Sequence, residues 1–255
     1  MDHALELQDI RMHFGGVKAV DGISEHVKSG EILGIIGPNG SGKSTLINVM
    51  TGIYAPTSGK VFFHGRDITG IKPHKIAAIG IARTFQNLRI FGAMTVRENV
   101  ILGQHTQIRT NTVQAILHTK AYAKSEAHVR DRADEALEMV GLTSMADEIA
   151  GSMAYGQQKR LEIARALVSD PTLCLLDEPA AGMNSREAMK MMELVSRIRE
   201  EKKLSIILIE HNMEAMMRTA DRIMAMDAGK KIMDDIPDVV KTDPRVVKVY
   251  LGGEI

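Results

Sequence analysis

The chain has 255 residues, 44% hydrophobic and 25% charged, a composition that folds around a core and excludes overall disorder. Its 32 basic and 32 acidic side chains cancel, so it lacks the basic excess that marks a nucleic-acid binder. A single cysteine, Cys174, excludes an intrachain disulfide, and its neighbours Leu173, Leu175 and Leu176 are those of a buried thiol rather than a reactive one.

In chain order, the opening reads as β structure. Leu5, Leu7 and Ile10 are apolar among polar neighbours, Gly15-Gly16 marks a turn, and a second run ends at Ser29-Gly30. Ile32–Ile36 is a short continuous apolar strand of the kind covered on both faces in a parallel sheet, followed by a glycine-rich loop and a helix over Ser44–Met50. From about Leu88 to Ala166 the pattern is mostly helical. Thr95-Val96-Arg97-Glu98 has the spacing of a capping box, and Ser125–Val140 places Val129, Ala133, Ala136, Leu137 and Val140 on one face. Thr106–Thr112 is polar and reads as a loop. After Asp170-Pro171 the strands return: Leu173–Leu176, a helix over Asn184–Glu200 with Asn184 and Glu187 placed to cap it, and a strand over Ser205–Glu210. A helix over Asn212–Thr219 and a strand over Ile223–Met226, ended by Asp227-Ala228-Gly229, complete the pattern. Strands alternating with helices predict an α/β fold with a parallel sheet and an inserted helical portion. Met189, Met192, Met213, Met216 and Met217, at helical spacings, read as core filler, and the nine histidines lack paired metal-ligand spacing. No run approaches the roughly 20 apolar residues that cross a bilayer, and the first residues lack the blocks of a signal peptide. The expectation is a cytoplasmic protein that reaches a membrane only through partners.

Gly37-Pro38-Asn39-Gly40-Ser41-Gly42-Lys43-Ser44, followed by Thr45, fits the phosphate-loop pattern G-x-x-x-x-G-K-[ST]. Glycines let backbone N–H groups turn inward around phosphate oxygens, and the following helix aims its positive end at the same anion. Lys43 would reach the β- and γ-phosphates, and the Ser44 hydroxyl would ligate Mg²⁺. At average residue frequencies about one chain in a hundred of this length matches by accident, and the strand before and helix after the loop lower those odds further. Leu173-Cys174-Leu175-Leu176-Asp177-Glu178 is the natural second half: a buried strand that delivers paired carboxylates where open α/β sheets place their ligands. Asp177 would hold Mg²⁺ through water, and Glu178 would act as general base on the attacking water.

Ala154-Tyr155-Gly156-Gln157-Gln158-Lys159-Arg160-Leu161 resembles the signature region of ABC ATPases, with Gly156-Gln157 in the L-S-G-G-Q pattern. Gln86, in Thr84-Phe85-Gln86-Asn87, matches that family's Q-loop, His211 its switch histidine, and Phe14 stands where the family places an adenine-stacking aromatic. The resemblance covers essentially the whole chain. It implies a P-loop NTPase of ABC ATPase type, with an N-terminal antiparallel β portion and a helical subdomain at approximately 88–166 inserted in a RecA-like core. It implies ATP with Mg²⁺, held by Ser44, Asp177 and Gln86, with Glu178, His211, Gln86 and Lys43 as the catalytic set.

The resemblance also implies a head-to-tail pair of ATPase subunits, identical or not. In it Ala154, Tyr155, Gly156 and Gln157 face the ATP held by the other subunit. Permease subunits in the membrane and a substrate-binding protein would complete the system. Leu88-Arg89-Ile90-Phe91 would then line the groove that receives a permease helix. Ala82–Phe91, Asp177–Asn184 and Val249-Tyr250-Leu251-Gly252 look most like the ATPase subunits of branched-chain amino acid importers, with urea or amide importers and lipopolysaccharide export as alternatives. A soluble ABC ATPase acting on ribosomes or DNA is the rival of another class. It is disfavoured by the single phosphate loop and the lack of sustained heptads. In two places the chain departs from the family pattern: Ala154 stands where a serine is usual, and Asn184 where an aspartate is usual. Unequal sites in a heterodimer would be one consequence.

Overall fold

A computed structural model describes residues 3–85, 88–104 and 120–251. In chain order its elements begin with β1 (His3–Phe14), β2 (Val17–Lys28), β3 (Ile32–Ile36), α1 (Lys43–Met50), β4 (Ser58–Phe63), β5 (Arg66–Asp67), α2 (Pro73–Ala78) and β6 (Ile81–Arg83). Next come α3 (Val96–Leu102), α4 (Lys120–Met139), short 3₁₀ turns at Thr143–Met145 and Ala150–Ser152, and α5 (Tyr155–Leu167). The chain closes with β7 (Leu173–Asp177), α6 (Ser185–Lys202), β8 (Ser205–Ile209), α7 (Met213–Thr219), β9 (Arg222–Asp227), β10 (Lys230–Asp235), α8 (Pro237–Thr242) and α9 (Pro244–Leu251). Contacts divide this into two compact units, Met1–Arg83 with Thr172–Ile255, and Thr84–Pro171.

In the first unit the strands form two sheets. One is antiparallel, in the order β2-β1-β4-β5; the other runs β10-β9-β3-β8-β7-β6. In the second sheet β9, β3, β8, β7 and β6 are parallel and β10 turns back antiparallel on β9. β3, β7 and β8 are buried at every position, which is why their sequences are continuous apolar runs rather than alternating ones. On β3 the two faces do different work. Leu33 and Ile35 join Leu5, Leu7, Leu46 and Ile47 in one apolar cluster that welds the antiparallel sheet and α1 to the parallel sheet. Gly34 faces the other way, and a Cβ there would stand 2.5 Å from Met216 Sδ and 3.2 Å from Ala220 Cβ. The missing side chain is what lets α7 lie close on the strand. Met192 and Met216 are buried and Met189, Met213 and Met217 half-buried, as filler around these helices. Burial pushes the Cys174 thiol up to about 12, which removes it from thiolate chemistry.

The sheets are also joined by charge. Arg222, at the start of β9, donates to Glu31 at 2.9 Å and Glu25 at 2.8 Å, and pairs with Asp234 and the His26 carbonyl. Lys231 adds a bond to Glu25 at 3.2 Å. Burial alone would push Glu31 up, yet the bonds from Arg222 and from the Lys28 N–H hold it below the ordinary carboxylate value.

In the second unit α3 packs against α4 and α5. Val96, Val100, Ala133, Ala136, Leu137 and Val140 are buried, with the helical face of α4 as its periodicity predicts. The capping box at Thr95 and Glu98 is present, with bonds of 3.2 and 2.8 Å. The stretch before it departs from the helical expectation. Leu88–Met94 is irregular because its backbone is paired elsewhere. Gly151 N donates to Gly92 O, Ala150 N to Met94 O, and buried Asn99 holds Phe91 by both its N–H, at 2.8 Å, and its carbonyl, at 3.0 Å. The expected loop at Thr106–Thr112 lies outside the described residues.

Removing Arg222 would strand buried carboxylates that it now satisfies. Arg222→Met is expected to cost about 3–5 kcal/mol at neutral pH. Glu31, with its pKa depressed, contributes stability above the ordinary glutamate pKa of roughly 4.3 and loses it as pH falls through the lower folded value. The gap between variant and parent should therefore narrow below about pH 4. Urea unfolding of both proteins across pH 3.5–8 measures it.

Candidate functional site

The glycine-rich loop leaves β3 at Ile36 and enters α1 at Lys43. Gly42 has φ 100°, and a Cβ there would lie 2.3 Å from the Ala19 carbonyl, so β2 closes directly over the loop. A third element holds it from the side: Gly229, in the turn between β9 and β10, donates to Ser41 O at 3.0 Å, while Asp21 N donates to Gly229 O at 2.8 Å. The shape of the loop is thus held by protein contacts from β2 and from the turn after β9. Lys43 is buried and folds back, donating to Gly37 O at 2.7 Å and Pro38 O at 2.9 Å. Burial lowers its pKa, and Glu178 and Asp177 draw it back up. Among the described residues Ser41 Oγ is buried without a hydrogen-bond partner, an orphan that a phosphate oxygen in the cradle would satisfy. Asn39, Gly40 and Ser44 are exposed and Thr45 half-buried beside it.

The carboxylates come from β7. Its register with β8 pairs Asp177 with Ile209, so Glu178 and Glu210-His211 leave the sheet side by side. Glu178 has φ 52°, a left-handed conformation that costs a non-glycine residue about 1–3 kcal/mol and that clusters at reactive sites. Its N–H donates to Ile209 O at 2.9 Å, and its Oε1 lies 2.8 Å from His211 Nε2. The sequence proposed these two residues separately; the fold makes them partners.

Further residues at this edge carry no local sequence signal. Buried Glu210 accepts from Ala180 N at 2.6 Å and His211 N at 3.2 Å, so one carboxylate braces both segments that carry Glu178 and His211. Burial raises its pKa, and those hydrogen bonds partly offset the rise. Arg83, on β6, donates to Asp177 Oδ2 at 3.1 Å, and to Asn48 Oδ1 at 2.7 Å and Thr51 Oγ1 at 3.3 Å around the end of α1. It ties the strand that ends in Asp177 to the helix that begins with Lys43. Only their distance partners identify these residues, which is why a linear motif search passes over them.

Ser44 and Asp177 offer hard oxygen donors suited to Mg²⁺, and no cluster of three or more His, Cys, Asp or Glu competes for a softer metal among the described residues. Gln86, the other expected ligand, lies outside the described residues. Phe14, at the end of β1, is 44% exposed and meets the Tyr54 ring edge-to-face at 5.3 Å. In the second unit Ala154 precedes α5, and its N–H donates to Gln157 Oε1 at 3.0 Å. The methyl of Ala154 cannot return the bond, so the cap at this helix is half made. Tyr155 is exposed and Gly156 half-buried. Asn184 has a structural occupation: its Oδ1 accepts from Glu187 N at 3.0 Å and its N–H donates to Glu187 at 3.1 Å, a complete capping box on α6.

A shaped phosphate loop between the first core strand and its helix, with a strained carboxylate and a histidine at the neighbouring strand ends, defines a P-loop nucleoside triphosphatase. A family profile described as ABC transporter matches residues 20–181. The chain is 41% identical over 248 residues to the high-affinity branched-chain amino acid transport ATP-binding protein BraF of Pseudomonas aeruginosa, covering 97% of each. Its fold matches the ADP conformation of an ATP-binding cassette of an ABC transporter with a TM-score of 0.86 at 34% identity, covering 99% of each chain. It also matches a cassette solved as a dimer in a post-hydrolysis state bound to ADP and Pi, with a TM-score of 0.76 at 26% identity over 91% of this chain and 98% of that one. The chain belongs to the ABC transporter family and is its ATP-binding, ATP-hydrolysing subunit.

Glu210→Ala would leave the buried Ala180 N–H without its acceptor, at a local cost of about 1–3 kcal/mol. ATP turnover should fall about tenfold as the Glu178–His211 pair loosens, with ATP affinity changed less than about twofold. Steady-state hydrolysis together with calorimetric ATP titration separates the effects.

Proposed function

We propose that this chain energises an ABC importer for branched-chain amino acids, working at the inner face of the cell membrane beside permease subunits and a substrate-binding protein. The observation that carries the cargo is the 41% identity to BraF along 97% of both chains. No helix among the described residues is long and apolar enough to cross a membrane, which fits a subunit that meets the bilayer through others.

In this reading the loop 37–42, Lys43 and the start of α1 bind the β- and γ-phosphates of ATP, and Phe14 stacks on the adenine. Lys43 exchanges its loop carbonyls for phosphate oxygens, a charge-assisted replacement. Ser44 and Asp177 would hold Mg²⁺, Asp177 through water and with Gln86 as a further ligand; the ion supplies charge neutralisation on the phosphates when bound. Glu178 takes the proton of the attacking water, and His211, 2.8 Å from its carboxylate, fixes its orientation. Two such subunits would sandwich ATP, with residues 154–157 of each meeting the nucleotide of the other. Ala154 has no hydroxyl for that contact, leaving the half-capped end of α5 and its backbone N–H groups to make it. Phe91 supports a permease contact in the second unit. It is 55% exposed, on backbone pinned by Asn99, and so offers an apolar ring at the surface from a fixed stretch of backbone.

Glu178→Gln keeps the shape of the side chain and removes its basicity. Turnover should drop at least about a hundredfold, while ATP binding persists and an ATP-bound dimer accumulates on size-exclusion chromatography. Hydrolysis near the parental rate would assign the base elsewhere. For cargo, deletion of the chain should abolish high-affinity uptake of radiolabelled leucine, isoleucine or valine. Intact leucine uptake with lost uptake of urea or a short amide would reassign the transporter.

A further inference from the structure

The phosphate end of the site is held from three sides, but the base end rests on one exposed ring. Phe14 closes β1 just before Gly15 and Gly16, and neither glycine position has an atom within 4 Å of where its Cβ would stand. The hairpin tip beyond the ring is therefore open, and across the hairpin Phe14 pairs with Val17, which is itself exposed. The ring meets that of Tyr54, with centroids 5.3 Å apart and planes at 77°. Whichever ring presents its edge, such a pair leaves at least one face of Phe14 uncovered, and the ring is 44% exposed.

Tyr54 is not itself adrift. It follows α1, where Ile53 N and Tyr54 N both donate to Asn48 O at 2.9 and 3.1 Å, and it packs against the apolar cluster of the first unit. Three residues on, Thr57 is stapled to β1: its N–H donates to Arg11 O at 2.8 Å, and its hydroxyl accepts from His13 N at 3.0 Å. The segment 51–57 thus runs from the far end of the phosphate-loop helix to the strand that carries Phe14, and it presents a half-buried aromatic ring against Phe14.

We propose that Tyr54 is a positioning residue for the nucleotide base: it holds the Phe14 ring at a fixed tilt so that its open face receives the adenine. This rests on the reading of Phe14 as the base-stacking residue. A ring already oriented loses less freedom on binding, so Tyr54 should favour ligands that have a base and be silent toward phosphate alone. The freedom that one side chain gives up on being fixed at a binding site corresponds to about a two- to tenfold change in affinity.

The test uses the full chain and two probes, ATP and inorganic tripolyphosphate, each titrated with Mg²⁺ by calorimetry. Tyr54→Leu and Tyr54→Met keep apolar bulk without a ring. Both should raise the ATP dissociation constant about two- to tenfold and leave that of tripolyphosphate unchanged, which also shows that the phosphate loop is folded. Tyr54→Phe, which keeps the ring, should restore ATP affinity. Phe14→Ala should weaken ATP as well, and adding Tyr54→Leu to it should weaken ATP no further. Parental ATP affinity in the leucine and methionine variants, equal loss toward both probes, or additive loss in the double variant would each overturn the proposal. If Phe14→Ala weakens ATP while the Tyr54 variants do not, only the role of Tyr54 fails. If Phe14→Ala itself binds ATP as the parent does, the base-stacking reading fails first and takes Tyr54 with it.

Discussion

The parallel pairing of β8 with β3 on one side and β7 on the other governs everything at the working edge of this molecule. Ile32–Ile35 pair with Ile206–Ile209, and Leu173–Asp177 with Ser205–Ile209. All these strands end at one level. The phosphate loop, Asp177-Glu178 and Glu210-His211 therefore emerge together, although they are far apart in the chain. The side-chain period of a strand is two, so a slip of one residue in β7 would turn Leu175 and Asp177 to the opposite face and carry Glu178 away from His211. The apolar runs in these strands are the energetic guard on that register, since every residue in them is buried.

Given that frame, the charged groups form a chain of mutual restraint. Lys43 would be costly to bury alone, and it is offset by loop carbonyls and by the nearby carboxylates. Asp177 is pinned by Arg83, which is held in turn by Asn48 and Thr51 at the end of α1. Glu210 is buried as an acceptor for backbone N–H groups, and Glu178 sits in a backbone conformation that its neighbours must enforce. The loop backbone and the carboxylates are thereby held by protein contacts, and it is the Lys43 ammonium that trades partners when a triphosphate binds.

What was legible in the sequence was local. The phosphate loop, the strand ending in Asp177-Glu178, the capping boxes at Thr95 and Asn184 and the amphipathic face of α4 each declare themselves within a few residues, because backbone geometry at short range dictates their spacing. What stayed hidden was set by register. Arg83, Glu210 and Gly229 look like ordinary residues until β6, β7, β8 and the turn after β9 are brought to the same edge. The irregular path of Leu88–Met94 was hidden for the same reason, since its backbone partners lie at Gly151, Ala150 and Asn99. Asn184 illustrates the converse: a position singled out for its departure from the family pattern also has a local role, as the cap of α6, which an aspartate would fill equally well.

The position of β3 has a consequence for how the chain comes to be made. Its neighbours in the sheet, β8 and β9, are both synthesised near the end of the chain, and Gly229, which braces the phosphate loop, is later still. During translation the apolar strand Ile32–Ile36 and its loop must wait, without sheet partners, until Ser205–Asp227 has left the ribosome. Pairing over such separations is slow to form, and the waiting strand is open to aggregation. The nucleotide site would be among the last parts of the first unit to be completed, so a ribosome-bound or truncated chain ending before β8 would carry the full phosphate-loop sequence yet have no cradle.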